Sequence, residues 1–474
     1  MLGKSVTSMM LAAVWLCGSA LLPAQTFTTL HSFDGTDGRL SFAGLVQATN
    51  GSLYGTTYYG GAKNSGEVFE ITPIGTLTRL HSFCSKSGCT DGEYTYATPI
   101  QGTDGNFYGT TYLGGSNELG TVFQITPTGT EITLHTFRGP DGSQPLAGLV
   151  QATNGDFYGT TYIGGSEGKG EVFKITPNGA FTTLHSFCSQ SGCTDGENPF
   201  AGLIQGVDGN LYGTTFGGGS IKGFGTVFKI TPLGTLTTLH SFCTQSGCPD
   251  GQFPQTGLVQ ASNGDLYGTT IAGGAYGDGT IFQITPTGKL KMLYNVCSQS
   301  GCPEGNYLIA GLIQATDGNL YGIMDVGGAK GSGTIFKMTL SGTLTTLYNF
   351  CSQSGCPDGQ YPAGGLVQAT DGNLYGTTAD GGANGDGTVF SLSLGLGPFV
   401  ETEPTVAKVG AGVKILGTNL TGATSVNFNG KAATFTVVSS SEISTTVPVE
   451  ATTGEVQVLT PSGTLLSNVP FRVP

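Results

Sequence analysis

The chain has 474 residues, of which 81 are glycine and only 10% are charged, and its formal net charge is −13. That acidity repels phosphate backbones and anionic headgroups, which disfavours nucleic-acid and anionic-membrane binding. Glycine and threonine in such supply suit tight turns and neutral strands better than helices.

Residues 1–24 come first. Lys4, an uncharged run from Met9 to Leu22 and Ala24 follow the plan of a secretory signal peptide. The run is too short for a membrane span, and no later stretch reaches the required apolar length, so no membrane insertion of the mature form is expected. Cys17 follows Leu16, where a lipid-attachment box needs a small residue, so no lipid is expected either. The expected localisation is export, to the periplasm, the cell surface or the medium.

From residue 25 onward one phrase recurs: Asp/Asn-Gly-x-Leu/Phe-Tyr-Gly-Thr-Thr, centred on Tyr54, Tyr108, Tyr158, Tyr212, Tyr267, Tyr321 and Tyr375, at spacings of 54, 50, 54, 55, 54 and 54 residues. A fixed period of this length means an array of one supersecondary unit. In the first copy, residues 44–83, four runs rich in β-branched and aromatic residues are divided by Asn-Gly and Pro-x-Gly turns. The unit therefore reads as a four-stranded antiparallel meander, with strands A to D in chain order. In strand C, Phe69 and Ile71 share one face and Glu70 the other, so a half-buried sheet is expected.

The two ends of the array complement each other. A solitary strand D, Thr28 to Phe33, precedes the first full repeat, and the seventh repeat has A, B and C, from Gly365 to Leu394, without D. The expected fold is all-β: a seven-bladed β-propeller over residues 25–397, closed by the N-terminal strand, followed by a small Ig-like β-sandwich over 398–474. A β-solenoid is the alternative, but its coils are usually shorter and need no exchange of ends.

Ten of the eleven cysteines form five equally spaced pairs: Cys84 and Cys89, Cys188 and Cys193, Cys243 and Cys248, Cys297 and Cys302, Cys351 and Cys356. In an exported chain these read as disulfides closing small loops between strand D and the next strand A; no third ligand at metal spacing accompanies them. The links Phe33 to Gly38 and Phe137 to Gly142 lack the insertion, which accounts for the 50-residue period. A loop this small gains about 2 kcal/mol from its bridge. The B–C and D–A links are long and variable and share one face, so that face is expected to carry function.

Chemistry is sparse. The seven strand-A glutamines (Gln47, Gln101, Gln151, Gln205, Gln260, Gln314, Gln368) read as hydrogen-bonding positions between blades rather than a polar funnel. The five histidines share one strand-D site with Tyr294 and Tyr348, which fits packing better than metal binding. No strand A carries a charge in its Leu-Val/Ile-Gln core, so the centre is poorly equipped for proton transfer. Asp278 and Asp386 sit in isolated Gly-Asp-Gly turns, too sparse for a calcium loop, and no phosphate loop or nucleophile elbow is present; no metal or cofactor is expected. Symmetry fails after the Thr-Thr of strand B: Tyr58, Tyr112, Tyr162 and Phe216, then Ile271, Asp325 and Ala379. An arc of aromatics over repeats one to four is the candidate carbohydrate site, with Asp325 beside it.

After Pro398 the period ends. Gly417-Thr-Asn-Leu, Val426-x-Phe-Asn-Gly, Val447-Pro and Gly454-x-Val-x-Val, in that order, resemble the IPT/TIG immunoglobulin-like module, which implies a spacer or interaction domain without catalytic residues. Gly365-Leu-Val-Gln-Ala-Thr-Asp-Gly-Asn-Leu-Tyr-Gly-Thr-Thr, the Gly-Gly that follows, and Gly225-Thr-Val-Phe-Lys-Ile-Thr resemble the GloVer tandem-repeat family over residues 27–395. That resemblance implies an exported bacterial protein and carries over no functional residues. The functional expectation is a binding or interaction scaffold for a glycan or another extracellular protein. The alternative is an extracellular polysaccharide lyase or hydrolase working through Asp325 and Asp380.

Overall fold

The computed structural model describes residues 25–220 and 223–474. The signal-peptide reading of residues 1–24, Cys17 included, lies outside the described residues. Among these, strands form nine four-stranded antiparallel sheets, and helix is confined to two 3-10 turns, Ser87–Cys89 and Ser191–Cys193. No helix among them is long and apolar enough to cross a membrane.

Seven sheets come from the repeats. In the first, A (Val46–Gln47), B (Leu53–Thr57), C (Glu67–Ile71) and D (Leu77–Ser82) lie in chain order. The N-terminal strand, Thr26–Ser32, begins two residues earlier than the sequence suggests and pairs antiparallel with Thr388–Ser393, so it stands fourth beside Val367–Gln368, Leu374–Thr378 and Thr388–Ser393. Strand A is only two residues long, shorter than its Gly-Leu-Val-Gln-Ala phrase. In the first repeat the backbone before A is in contact with a neighbouring repeat, since a Cβ on Gly44 would lie 2.6 Å from the Gly365 carbonyl oxygen.

The half-buried sheet is corrected. Every B strand is buried throughout, and C is buried at every position except its hydrophilic fourth, because each sheet is covered on both faces. Tyr54, Val68 and Phe83 of the first repeat pack on Phe107, Phe123 and Ile125 of the second. The same contact joins the last sheet to the first, where Tyr375, Val389 and Phe33 meet Leu53, Phe69 and Ile71. Each fully buried large side chain contributes about 1.5–3 kcal/mol, so these inter-sheet seams hold most of the array's stability.

The recurring phrase is now explained position by position. Its Asx side chain closes the A–B turn and holds the tyrosine hydroxyl: Tyr108 donates to Asp104 at 2.7 Å, and Asn50 donates to Tyr54 at 2.8 Å. The glycine after tyrosine lies under a strand-C phenylalanine, and a Cβ at Gly55 would sit 2.6 Å from the Phe69 ring. The first threonine crosses to the next repeat, with Thr56 donating to the Ala97 carbonyl at 3.0 Å and Thr377 to Ala43 at 2.8 Å.

The glutamines do the same near the axis. The amides of Thr49, Thr103, Thr153, Val207, Ser262 and Thr316 donate to the glutamine Oε1 of the following repeat, and Thr370 donates to Gln47 at 2.8 Å, completing a circuit. Backbone donors of the A–B turns, most of them at exposed residues, are thereby satisfied between sheets.

The tail supplies the other two sheets, Val400–Glu403, Gly412–Gly417, Glu442–Thr446 and Phe435–Val437 against Lys431–Ala433, Ser425–Phe428, Val456–Thr460 and Gly463–Leu466, around Val413, Ile415, Val426, Phe428, Ile443 and Val458. It meets the A–B turns of the first and last repeats. Ser441 Oγ donates to the Thr49 carbonyl at 2.9 Å, Thr418 and Thr370 hydroxyls lie 2.9 Å apart, and the Phe399 amide donates to Thr370 at 3.0 Å. The opposite face, with the long links, is left clear of these contacts.

Candidate binding face

On the long-link face the backbone repeats while the side chains do not. Seven equivalent residues just before the link enters strand A have left-handed φ values of 51–61°: Leu40, Tyr94, Gln144, Asn198, Phe253, Tyr307 and Tyr361. None is glycine. Each such residue costs about 1–2 kcal/mol relative to ordinary backbone, and strain of this kind gathers where surrounding structure holds it for a purpose. The surrounding structure is a pair of hydrogen bonds: the Tyr94 amide donates to Ser65 of the previous repeat at 2.8 Å, and the Tyr94 carbonyl accepts from Tyr112 at 2.7 Å.

Two residues on, a second equivalent set is Phe42, Tyr96, Leu146, Phe200, Gln255, Ile309 and Ala363. These side chains, with the small residues that follow them, surround a cavity of about 490 Å³ to which all seven repeats contribute. The set after Thr-Thr, Tyr58 to Ala379, is bonded to the first set through its amides. Across the three sets a single residue is charged, Asp325.

The sequence-derived site residues fall as follows. Tyr58 and Tyr112 are brought together by Tyr96, whose ring centroid lies 4.6 Å from Tyr58 and 5.5 Å from Tyr112, and Phe42 and Tyr94 extend the cluster at 5.6 and 5.1 Å from Tyr58. Tyr162 pairs instead with Phe200 at 5.9 Å, and Phe216 stacks on Phe253 at 4.8 Å. The aromatics thus form one large cluster and two smaller pairs rather than a continuous arc. Sequence reasoning missed Phe42, Tyr94, Tyr96, Phe200 and Phe253, although the Tyr94-Thr-Tyr96 alternation just before strand A of the second repeat was visible. Burial, then a hydrogen bond with Tyr96, raises the Tyr58 hydroxyl far above the ordinary tyrosine range. Tyr58 is therefore neutral at any physiological pH.

Asp325 belongs to the sixth repeat. Burial, then the charge of Asp380, pushes its carboxyl up to about 6; burial and Asp386 also raise Asp380. Asp278 and Asp386 lie in the glycine-rich B–C links, Asp386 accepting the Leu40 amide through its carbonyl.

The five cysteine pairs are each at bonding distance. The acid that organises each link was overlooked in the sequence, although Asp-Gly or Glu-Gly recurs in every one. It pairs with the strand-D histidine or tyrosine: His31 with Asp37 at 2.7 Å, His81 with Asp91 at 3.2 Å, Tyr348 with Asp358 at 2.7 Å. Burial works against the charge of Asp91, but the Ser85 hydroxyl and the Ser85 and Lys86 amides hold its carboxyl below the usual range. His81, Asp91 and Glu131 offer ligand atoms within 4.8 Å of one another. Lys86 Nζ already lies 2.6 Å from Glu131, and Asp91 is spent on the link, so this set is a neutralised network that does not fit a cation. The other three sets with metal-like spacing each contain a bonded cysteine pair.

No curated protein matches the chain in sequence. The extracellular domain assigned to a hybrid two-component system of B. thetaiotaomicron superposes with a TM-score of 0.50 at 10% identity, over 84% of this chain and 46% of that one. The chain thus spans less than half the length of that domain. A fungal alcohol oxidase of the AA5 family, in complex with copper, superposes with a TM-score of 0.50 at 11% identity, over 94% of this chain and 98% of that one. An auxiliary nutrient binding protein of B. thetaiotaomicron gives a TM-score of 0.41 at 13% identity, over 78% of this chain and 76% of that one. These are likenesses of fold. In sequence, the profile of the Gloeobacter/Verrucomicrobia repeat matches residues 85–260 and 244–432, and that of the IPT/TIG domain matches residues 400–473. With most of its length matched in this way, the chain belongs to the Gloeobacter/Verrucomicrobia repeat family and carries an IPT/TIG domain at its C-terminal end.

Proposed function

We propose that the chain is an exported binding scaffold: residues 1–24 direct secretion, residues 25–397 form a seven-bladed β-propeller closed by the N-terminal strand, and 398–474 form the IPT/TIG sandwich. The circuit of glutamine bonds from Thr49 through Thr370 to Gln47, and the pairing of Thr26–Ser32 with Thr388–Ser393, support the closed ring. Five cysteine pairs at bonding distance support an oxidising compartment.

The ligand in this reading is a glycan on the long-link face. One observation carries it: the axial cavity of about 490 Å³ is ringed by side chains that vary from repeat to repeat, three aromatic (Phe42, Tyr96, Phe200), three aliphatic (Leu146, Ile309, Ala363) and one amide (Gln255), while the supporting backbone does not vary. Aromatic faces and neutral hydrogen-bonding groups together suit sugar rings. The test is retention on glycan arrays and polysaccharide beads of the mature protein, compared with Tyr58→Ala plus Tyr112→Ala. Retention in the parent and its loss in the variant is the expected result; unchanged retention in the variant would remove the tyrosine arc from the site.

A second reading, hydrolysis or lysis of an extracellular polymer, rests on Asp325, whose carboxyl is pushed up to about 6, and on Asp380 beside it. A carboxyl in that range suits acid–base work near neutral pH. Shortened products in the same bead assay, absent with Asp325→Asn, would favour it.

A further inference from the structure

The cavity is open at its mouth and ringed by segments from all seven repeats, and this bears on how a ligand enters it. Seven segments, one per repeat, supply its wall, so no side is open for a polymer to lie across it as it would in a groove. The wall is uneven. In repeat order the wall carries Phe42, Tyr96, Leu146, Phe200, Gln255, Ile309 and Ala363, so rings gather in the first four repeats and Ala363, with a methyl group alone, leaves the most room. The lining side chains with polar atoms are Gln255, Thr98, Tyr96 and Thr256, of which Thr256 is buried with its hydroxyl 2.8 Å from that of Thr269, and no lining residue carries a charge. A neutral unit with an apolar face and hydroxyl edges matches that lining; an ionised sugar would be desolvated there without a counter-charge.

We propose that the axial cavity is a terminal-residue pocket, receiving the end unit of a neutral oligosaccharide chain, stacked on the Phe42–Tyr96 side and hydrogen-bonded from Gln255. This rests on the glycan reading above and sharpens it from a surface that touches sugars to a pocket that counts chain ends. The rest of the chain runs outward over the aromatic cluster of Tyr58, Tyr94 and Tyr112, where further stacking is sequence-tolerant.

Ala363→Phe is the informative variant. Phenylalanine already stands at the equivalent place in two other repeats, as Phe42 and Phe200, so the backbone accepts it, and at position 363 it fills the roomy side of the wall. Gln255→Leu removes the amide while keeping the volume. The experiment takes the neutral oligosaccharide best retained by the parent on an array and titrates it calorimetrically at increasing chain length, with parent and both variants matched for melting temperature. The proposal expects one protein bound per chain at every length, an affinity that levels off after the first few units, and at least about tenfold weaker binding for both variants. More proteins bound per chain as length grows, with Ala363→Phe unaffected, would overturn the terminal pocket and leave glycan binding standing. Retention of no neutral glycan by the parent would overturn both.

Discussion

At the residue scale, the tyrosine phrase is architectural. Tyr108 is wholly buried between repeats, its hydroxyl held by Asp104 and Gln124. Tyr108→Phe leaves Asp104 without that donor and is expected to cost about 1–2 kcal/mol, read as a lowered thermal midpoint with unchanged ligand retention. The left-handed residues behave in the opposite way. Tyr307 has φ 61° and is 52% exposed, so its side chain adds little packing to offset its backbone strain. Tyr307→Gly is expected to leave the midpoint unchanged or raise it slightly, because relief of that strain offsets the extra freedom glycine brings to the unfolded chain. A clear fall would show that Tyr307 is kept for packing. This difference in legibility has a physical cause. The tyrosine phrase repeats in identity, so it could be read directly. The left-handed sites repeat only in conformation, with five residue types at seven positions and no glycine to betray the turn.

At the element scale, the bridged links are worth less than their bridges. A disulfide closing so small a loop contributes about 2 kcal/mol. All ten bonded cysteines, however, have φ between 45° and 62°, and two such residues per loop give back a comparable amount. Replacing Cys297 and Cys302 by serine is therefore expected to move the thermal midpoint only slightly. A loss near the full bridge value would mean that the left-handed turns are not strained. The N-terminal strand is different, since Phe27 stacks on Tyr348 at 4.0 Å and the strand covers the edge of Thr388–Ser393. Its deletion bares a sheet edge, with a large drop in midpoint and concentration-dependent association expected. The missing D strand at one end and the spare one at the other were legible by counting. The shortness of strand A was not, because its Gly-Leu-Val-Gln-Ala phrase has enough β-forming residues for a longer run.

At the scale of the whole molecule, the tail and the binding face lie at opposite ends of the repeats. Val400–Glu403 alternates fully buried Val400 and Thr402 with half-buried Glu401 and Glu403. Burial, then the charges of Glu401 and Glu442, push the Glu403 carboxyl up to about 7 against the pull of Lys414, and burial raises Glu401 as well. A carboxyl raised on folding binds more protons in the folded state. Its contribution is therefore complete below the unfolded value near 4.5 and is lost as pH rises through about 7. Unfolding of the tail should accordingly become easier between pH 5 and pH 7.5, and Glu403→Gln should flatten that slope; a midpoint rising over this window would contradict the assignment. The tail's fold was readable from its motif order. Its seat on the Thr49 and Thr370 turns was not, since those bonds run through backbone carbonyls and common hydroxyls that carry no distinctive signature.

The central claim is that ligand meets the long-link face at the axis, and side-chain footprinting by hydroxyl radicals tests it most directly. With a retained neutral oligosaccharide present, Phe42, Tyr58, Tyr94 and Tyr96 should be protected, while Ile74 and Leu233, 87% and 92% exposed on the C–D turns, should react as before. Protection of Ile74 and Leu233, or of the tail, with those aromatics unchanged would contradict it.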